Sequence, residues 1–201
     1  MKKSLLVLCL SFFAFSFMQA QELRFGIKGG VNVSTLGGDS YDGLVSFDSR
    51  TAYHVGIFAE IPLMMKFSIQ PELLYSAQGS QFGGFFSVDG FDDQKLDYLN
   101  VPVLVKYNII AGLSAELGPV FGYLISADGE RIFDDEGLEI DNKEAFNDLD
   151  IGIALGVSYS LKSFLFGLRY NKGISNVNND EFTSNKNQNN VFQIWAGYSF
   201  L

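Results

Sequence analysis

The chain is short of the residues that most chemistry needs. It holds one cysteine, one histidine, one tryptophan and four prolines in 201 residues. The cysteine, Cys9, lies in an apolar run from Leu5 to Met18 near the start. Beyond that run there is no thiol, which excludes a disulfide framework, a thiolate metal site and a cysteine nucleophile. Basic residues are also scarce, 14 against 23 acidic. Without Lys2 and Lys3, 12 remain against 23, a net charge of −11 that repels phosphate backbones and excludes nucleic acid as a partner. There is no glycine-rich phosphate loop and no His/Cys ligand cluster, so no cofactor and no metal are predicted.

The first apolar run is too short to span a bilayer as a helix, which takes roughly 20 residues. Lys2 and Lys3, the apolar stretch and then Gln19-Ala20-Gln21 have the order of a signal peptide. Cleavage is expected after Ala20. This divides the chain into a leader, residues 1–20, and a single domain, residues 21–201.

What the sequence has in quantity is aromatic and alternating. There are 20 Phe and 9 Tyr. Apolar and polar residues alternate over about ten positions, eight times, near 23–34, 51–61, 67–79, 96–108, 114–126, 149–160, 164–174 and 190–201. The sixth run is the cleanest, with Ile151, Ile153, Leu155 and Val157 on one face and Gly152, Ala154, Gly156 and Ser158 on the other. Alternation of period two is the mark of a strand with one apolar face. The gaps between runs are alternately long (35–50, 80–95, 127–148, 175–189) and short. The predicted fold is all-β: an eight-stranded antiparallel up-and-down transmembrane β-barrel with long extracellular loops and short periplasmic turns.

The polar face must be the inner one. It carries Arg24, Lys28, Glu60, Glu72, Lys106, Glu116 and Arg169 among many glycines. A Lys or Arg turned to lipid at mid-membrane costs about 2–4 kcal/mol, and a barrel of eight strands is only wide enough for its own side chains. The seven charges are therefore predicted to form a lumen network. Tyr53, Tyr107, Tyr123, Tyr159, Tyr170 and Tyr198 fall near strand ends, as an interfacial girdle requires. His54 faces inward. Ser46, Asp48, Ser49 and Ser80 follow no motif that places them beside it, so the reading is a lumen histidine and not an enzyme.

Several segments carry a family resemblance. They are Phe25-Gly-Ile-Lys-Gly-Gly-Val-Asn32, Gln70-Pro-Glu-Leu-Leu-Tyr-Ser-Ala-Gln-Gly79, Tyr98-Leu-Asn-Val-Pro-Val-Leu-Val-Lys-Tyr107, Glu116-Leu-Gly-Pro-Val-Phe-Gly122 and Arg169-Tyr-Asn-Lys-Gly-Ile-Ser-Asn176. Together they resemble the PorT-like outer-membrane β-barrel family of Gram-negative bacteria. The resemblance implies fold and an outer-membrane location, and no particular activity. It also implies that barrel-insertion machinery reads the aromatic last strand, which here ends on Leu201 instead of the usual Phe.

Pro71, Pro102 and Pro119 fall inside three neighbouring runs, and bulges are expected there. The third long loop holds nine acids between Asp128 and Asp148, opposed by Arg131 and Lys143. The residues 134–141 do not follow the EF-hand spacing, so a solvated acidic loop is expected. The second long loop carries Phe82, Phe85, Phe86 and Phe91 and is expected to fold over the barrel mouth. The functional expectation is an integral outer-membrane protein in contact with lipid and lipopolysaccharide. Its role would be structural, adhesive or partner-binding through an extracellular ligand or protein held by the loops. The alternative is a narrow or gated pore for small solutes.

Overall fold

The computed structural model describes residues 23–38, 46–83, 94–128, 132–133, 139–140, 143, 146–178 and 187–200. The strands are β1 (Arg24–Gly38), β2 (Ser46–Pro62), β3 (Phe67–Gly83), β4 (Gln94–Ile110), β5 (Leu113–Asp128), β6 (Ile132–Phe133), β7 (Glu139–Ile140), β8 (Leu149–Leu161), β9 (Phe164–Gly173) and β10 (Asn187–Ser199). Eight of them close a ring in the order β1-β10-β9-β8-β5-β4-β3-β2, each antiparallel to its neighbours. β6 and β7 form a separate small hairpin inside the acidic segment, which the alternation did not reveal. The leader, most of the loop acids, Phe85, Phe86, Phe91 and Leu201 lie outside the described residues.

Alternation dictates the wall. In β8, Ile151, Ile153, Leu155 and Val157 are exposed on the outer face, while Gly152, Ala154 and Ser158 are buried inside. The same pattern runs round the ring, so the outside is a continuous apolar belt with aromatic edges. At the short-turn end the rings of Phe67 and Tyr107 stand 5.0 Å apart, and Tyr198 lies 5.4 Å from Phe164 and 5.7 Å from Phe200. At the other end Tyr53 and Tyr75 are 5.9 Å apart. Water would not tolerate so large an apolar face, whereas hydrocarbon does.

Three tight turns close one end of the barrel. Each uses one residue with a left-handed backbone: Met65 at φ 54°, Gly112 at 83° and Lys162 at 56°. Towards the other end several strands outrun the sequence expectation. β1 reaches Gly38, β3 reaches Gly83 and β4 begins at Gln94. The backbone ladder continues above the apolar belt, where side chains no longer need to alternate.

The prolines correct one expectation. The register runs straight past Pro71, Pro102 and Pro119, and the irregularities fall elsewhere: between Ser49 and His54, Asp97 and Tyr98, and Asn108 and Ile110. Each proline instead faces a two-residue interruption in one seam, after which pairing resumes in the same register. The interrupted pairs are Ala59 and Glu60 against Gln70 and Pro71, Glu72 and Leu73 against Val101 and Pro102, and Val103 and Leu104 against Gly118 and Pro119. A missing N–H removes a bond on one side only, so no extra residue has to be accommodated.

Candidate functional site

Among the described residues, polar and charged groups converge in the barrel interior. Its strands stand in a ring of eight, so residues on β1 and β5, or on β3 and β9, face each other across a full diameter. Arg169 on β9 reaches across to Glu72 on β3 with two parallel hydrogen bonds, Nη1 to Oε2 at 2.8 Å and Nη2 to Oε1 at 2.9 Å. Its Nη2 also donates to Glu116 Oε2 on β5 at 2.9 Å. Lys28 on β1 donates to Glu72 Oε1 at 3.1 Å. The side chains of Lys28, Glu72, Glu116 and Arg169 are wholly shielded. One diameter, from Arg169 to Glu72, is thus bridged across the bore, with Lys28 bonded to its Glu72 end and Glu116 to its Arg169 end. The paired fork geometry of guanidinium and carboxylate is among the stronger forms of hydrogen bonding.

Trp195 packs against the charges. Its ring has the Lys28 ammonium 3.6 Å from the centroid and the Arg169 guanidinium carbon at 5.8 Å. The ring lies against Gly167, where a Cβ would come within 2.4 Å of it. Phe58 and Leu165 pack with Trp195 into an apolar cluster. Leu104, Val120 and Ala154 form a second apolar cluster in the lumen. The polar face is therefore not uniformly polar: apolar plugs sit between the charges.

The expected network divides into parts. Lys106 binds Glu60 at 3.0 Å and also donates to Gln70 Oε1 at 3.0 Å. Gln70 Nε2 in turn donates to Glu72 Oε1 at 2.6 Å, joining this pair to the central bridge. Six of the seven residues are thus connected. Arg24, the first residue of β1, is not among them; it stands exposed at the short-turn rim, beside a vestibule lined by Glu60, Lys66 and Ser68.

Above the charges lies an amide layer that sequence reasoning did not single out. Asn32 Oδ1 accepts from Gln193 Nε2 at 2.9 Å and pairs with His54 Nδ1 at 2.8 Å. Its Nδ2 donates to Ser76 Oγ and to the carbonyl of Ala77. His54 is buried and fixed by this layer. Ala77 shares the parity of the outward Leu73, yet it is buried at this level. Higher still, Leu36, Leu96, Tyr98, Leu124, Ala127 and Val177 form an apolar cluster with Phe146 packed on it.

An apolar exterior round a charged, packed interior defines a transmembrane β-barrel. The chain belongs to the family described as outer membrane protein beta-barrel domain, whose model matches residues 19–179, and it is an integral protein of the outer membrane. No curated protein matches the sequence. Among solved structures it is similar to Ail, the attachment invasion locus protein of Yersinia pestis, at 13% identity and TM-score 0.52, covering 90% of this chain and 100% of that one. The same protein bound to the heparin analogue sucrose octasulfate matches at 15% identity and TM-score 0.51 with the same coverage. Neisserial surface protein A matches at 14% identity and TM-score 0.51, covering 90% of this chain and 100% of that one. At such identities the likeness is one of fold.

Proposed function

We propose that this barrel is a closed, non-enzymatic scaffold that presents its long loops outside the cell to a macromolecular partner. The observation that supports it is the charge bridge across the bore, with Arg169, Glu72, Glu116 and Lys28 fully shielded and Trp195 packed against Lys28. Ion pairs buried across the bore oppose a water path at its middle. His54, the only histidine, is held by Asn32 within the same packed interior, away from any rim where a substrate would arrive.

The loop chemistry narrows the partner. Ail binds a sulfated sugar in its complex, but the third loop here carries nine acids against two bases and repels polyanions. A basic protein surface, or lipopolysaccharide phosphate bridged by divalent ions, fits it. Residues 1–20 act as a leader removed after Ala20, and insertion machinery engages the terminal strand. The sequence kinship is PorT-like.

Planar-bilayer recording of the purified protein tests the scaffold reading. No conductance steps above the bilayer baseline are expected. Stable, reproducible channels would support the pore reading instead.

A further inference from the structure

Among the described residues, the upper lumen holds a half-buried carboxylate, Asp150, that bonds to no cation. Asp150, near the start of β8, faces inward beside Gly122. Its partners are all neutral: the Ser175 hydroxyl donates at 2.7 Å, and the Asn189 side chain and the Ile151 backbone also bond to it. Of the cations near the cavity, Lys172 is exposed on the outer face and Arg50 donates to the Gln78 carbonyl; neither bonds to Asp150. A buried charge is normally paired or holds a metal ion.

Beside Asp150 is a cavity of about 20 Å³, room for one water-sized guest, also lined by Gln78, Asn100, Asn171 and Asn189. Asn171 and Asn189 are 9% and 3% exposed. The side-chain oxygens of both are buried and accept no hydrogen bond. The Asn189 nitrogen is already committed to Gln78 Oε1, so its oxygen is the free end of the amide. The walls are made close by glycine: Gly122, Gly152 and Gly173, from β5, β8 and β9, all border the cavity. A Cβ on Gly122 would stand 2.7 Å from Asn100 Oδ1 and 3.5 Å from the Asp150 Cβ.

The guest this cavity calls for brings positive charge and no acceptor. Unpartnered amide oxygens with a single carboxylate are hard oxygen ligands with one negative charge between them. A divalent ion would leave an uncompensated positive charge in a buried place. None of the described residues form a cluster of three His, Cys, Asp or Glu that would hold one more tightly. We infer that the cavity at Asp150, Asn171 and Asn189 binds a small monovalent metal cation of the sodium class, which locks β8, β9 and β10 together above the charge bridge.

The test is thermal unfolding of the purified protein in detergent micelles, with sodium chloride exchanged for choline chloride at constant ionic strength. Choline is too large for the cavity, so screening stays equal while the ligand changes. A saturable rise in Tm of about 2–4 °C with sodium is expected once the ion exceeds its Kd about fivefold. Asp150→Asn should fold and lose this sodium-specific rise. Identical curves in the two salts overturn the inference on the wild-type protein alone, so it stays testable even if the variant misfolds. A sodium-specific rise that survives in Asp150→Asn also overturns it. So does a larger rise with calcium or magnesium at micromolar concentration.

Discussion

Glu72 and Arg169 stand 97 residues apart in the chain and on diametrically opposite strands, yet they share two hydrogen bonds of 2.8 and 2.9 Å. Glu72 also takes Lys28 and Gln70, so one carboxylate holds three other side chains in the centre of the bore.

Removing that carboxylate leaves two buried cations with only Glu116 between them. Breaking one partner of a buried pair costs about 3–5 kcal/mol, more than the pair itself contributes, because the survivors stay desolvated. Glu72→Ala is therefore expected to lower folding free energy by that amount in a urea titration with phospholipid vesicles. Replacing Glu72 and Arg169 together by Leu and Met should cost clearly less. Equal losses in the two variants would show that the charges are not coupled as drawn.

Two glycines on adjacent strands offer a steric comparison. A Cβ on inward Gly56 would lie 2.0 Å from the Leu73 carbonyl, whereas on outward Gly29 it would meet the His54 carbonyl at 3.3 Å. Gly56→Ala is expected to cost about 3 kcal/mol or more, since backbone must shift. Gly29→Ala should cost less than about 1 kcal/mol. The heat-induced mobility shift of the folded barrel on gels, followed against temperature, ranks the two.

The lipid face carries a depth dependence. Leu155, 61% exposed in the middle of β8, is expected to lose about 2–4 kcal/mol on change to Arg. Ile110, at the last position of β4 beside a short turn, should lose only about 0–1 kcal/mol on the same change. Reversal of that order in a vesicle-folding titration would displace the membrane belt from where the tyrosines put it.

The three proline seams form a continuous line across β2, β3, β4 and β5. Amides at Leu73, Val101, Val103 and Gly118 are expected to exchange with solvent faster than those of Leu155 and Val157 on the unbroken β8 seam. Hydrogen exchange by NMR in micelles reads both sets at once. Uniform protection would mean that the interruptions do not loosen the wall.

The barrel was legible because lipid enforces a strict rule. Ile151, Ile153 and Leu155 have no other place to go, and Arg169 or Glu116 cannot share their side. Which charges meet was not legible, since the contacts cross the bore and depend on how far each strand is displaced along its neighbour. Glu72 opposite Arg169 follows from ring order, which alternation does not encode. Arg24 obeys the inward parity but comes too early in β1 to reach the interior. Asn32, Gln70 and Gln193 passed unnoticed because an amide on a polar face gives no signal until its partners are placed. Leu36, Leu96 and Tyr98 lie above the belt, where apolar residues no longer mark the outside. The bulges expected at the prolines failed for a local reason: a lost donor does not insert a residue.

The closing seam lies between β1 and β10, pairing Gly26 with Ser199 and continuing to Gly38 with Asn187. The first strand delivered is thus the last to be satisfied. Until residue 187 and those after it arrive, β1 keeps a bare row of peptide groups that lipid cannot solvate. A copy cut short by even its final strand is not a narrower barrel but an unsealed ribbon. The join between β1 and β10 thus makes the seal of the whole wall depend on its last strand.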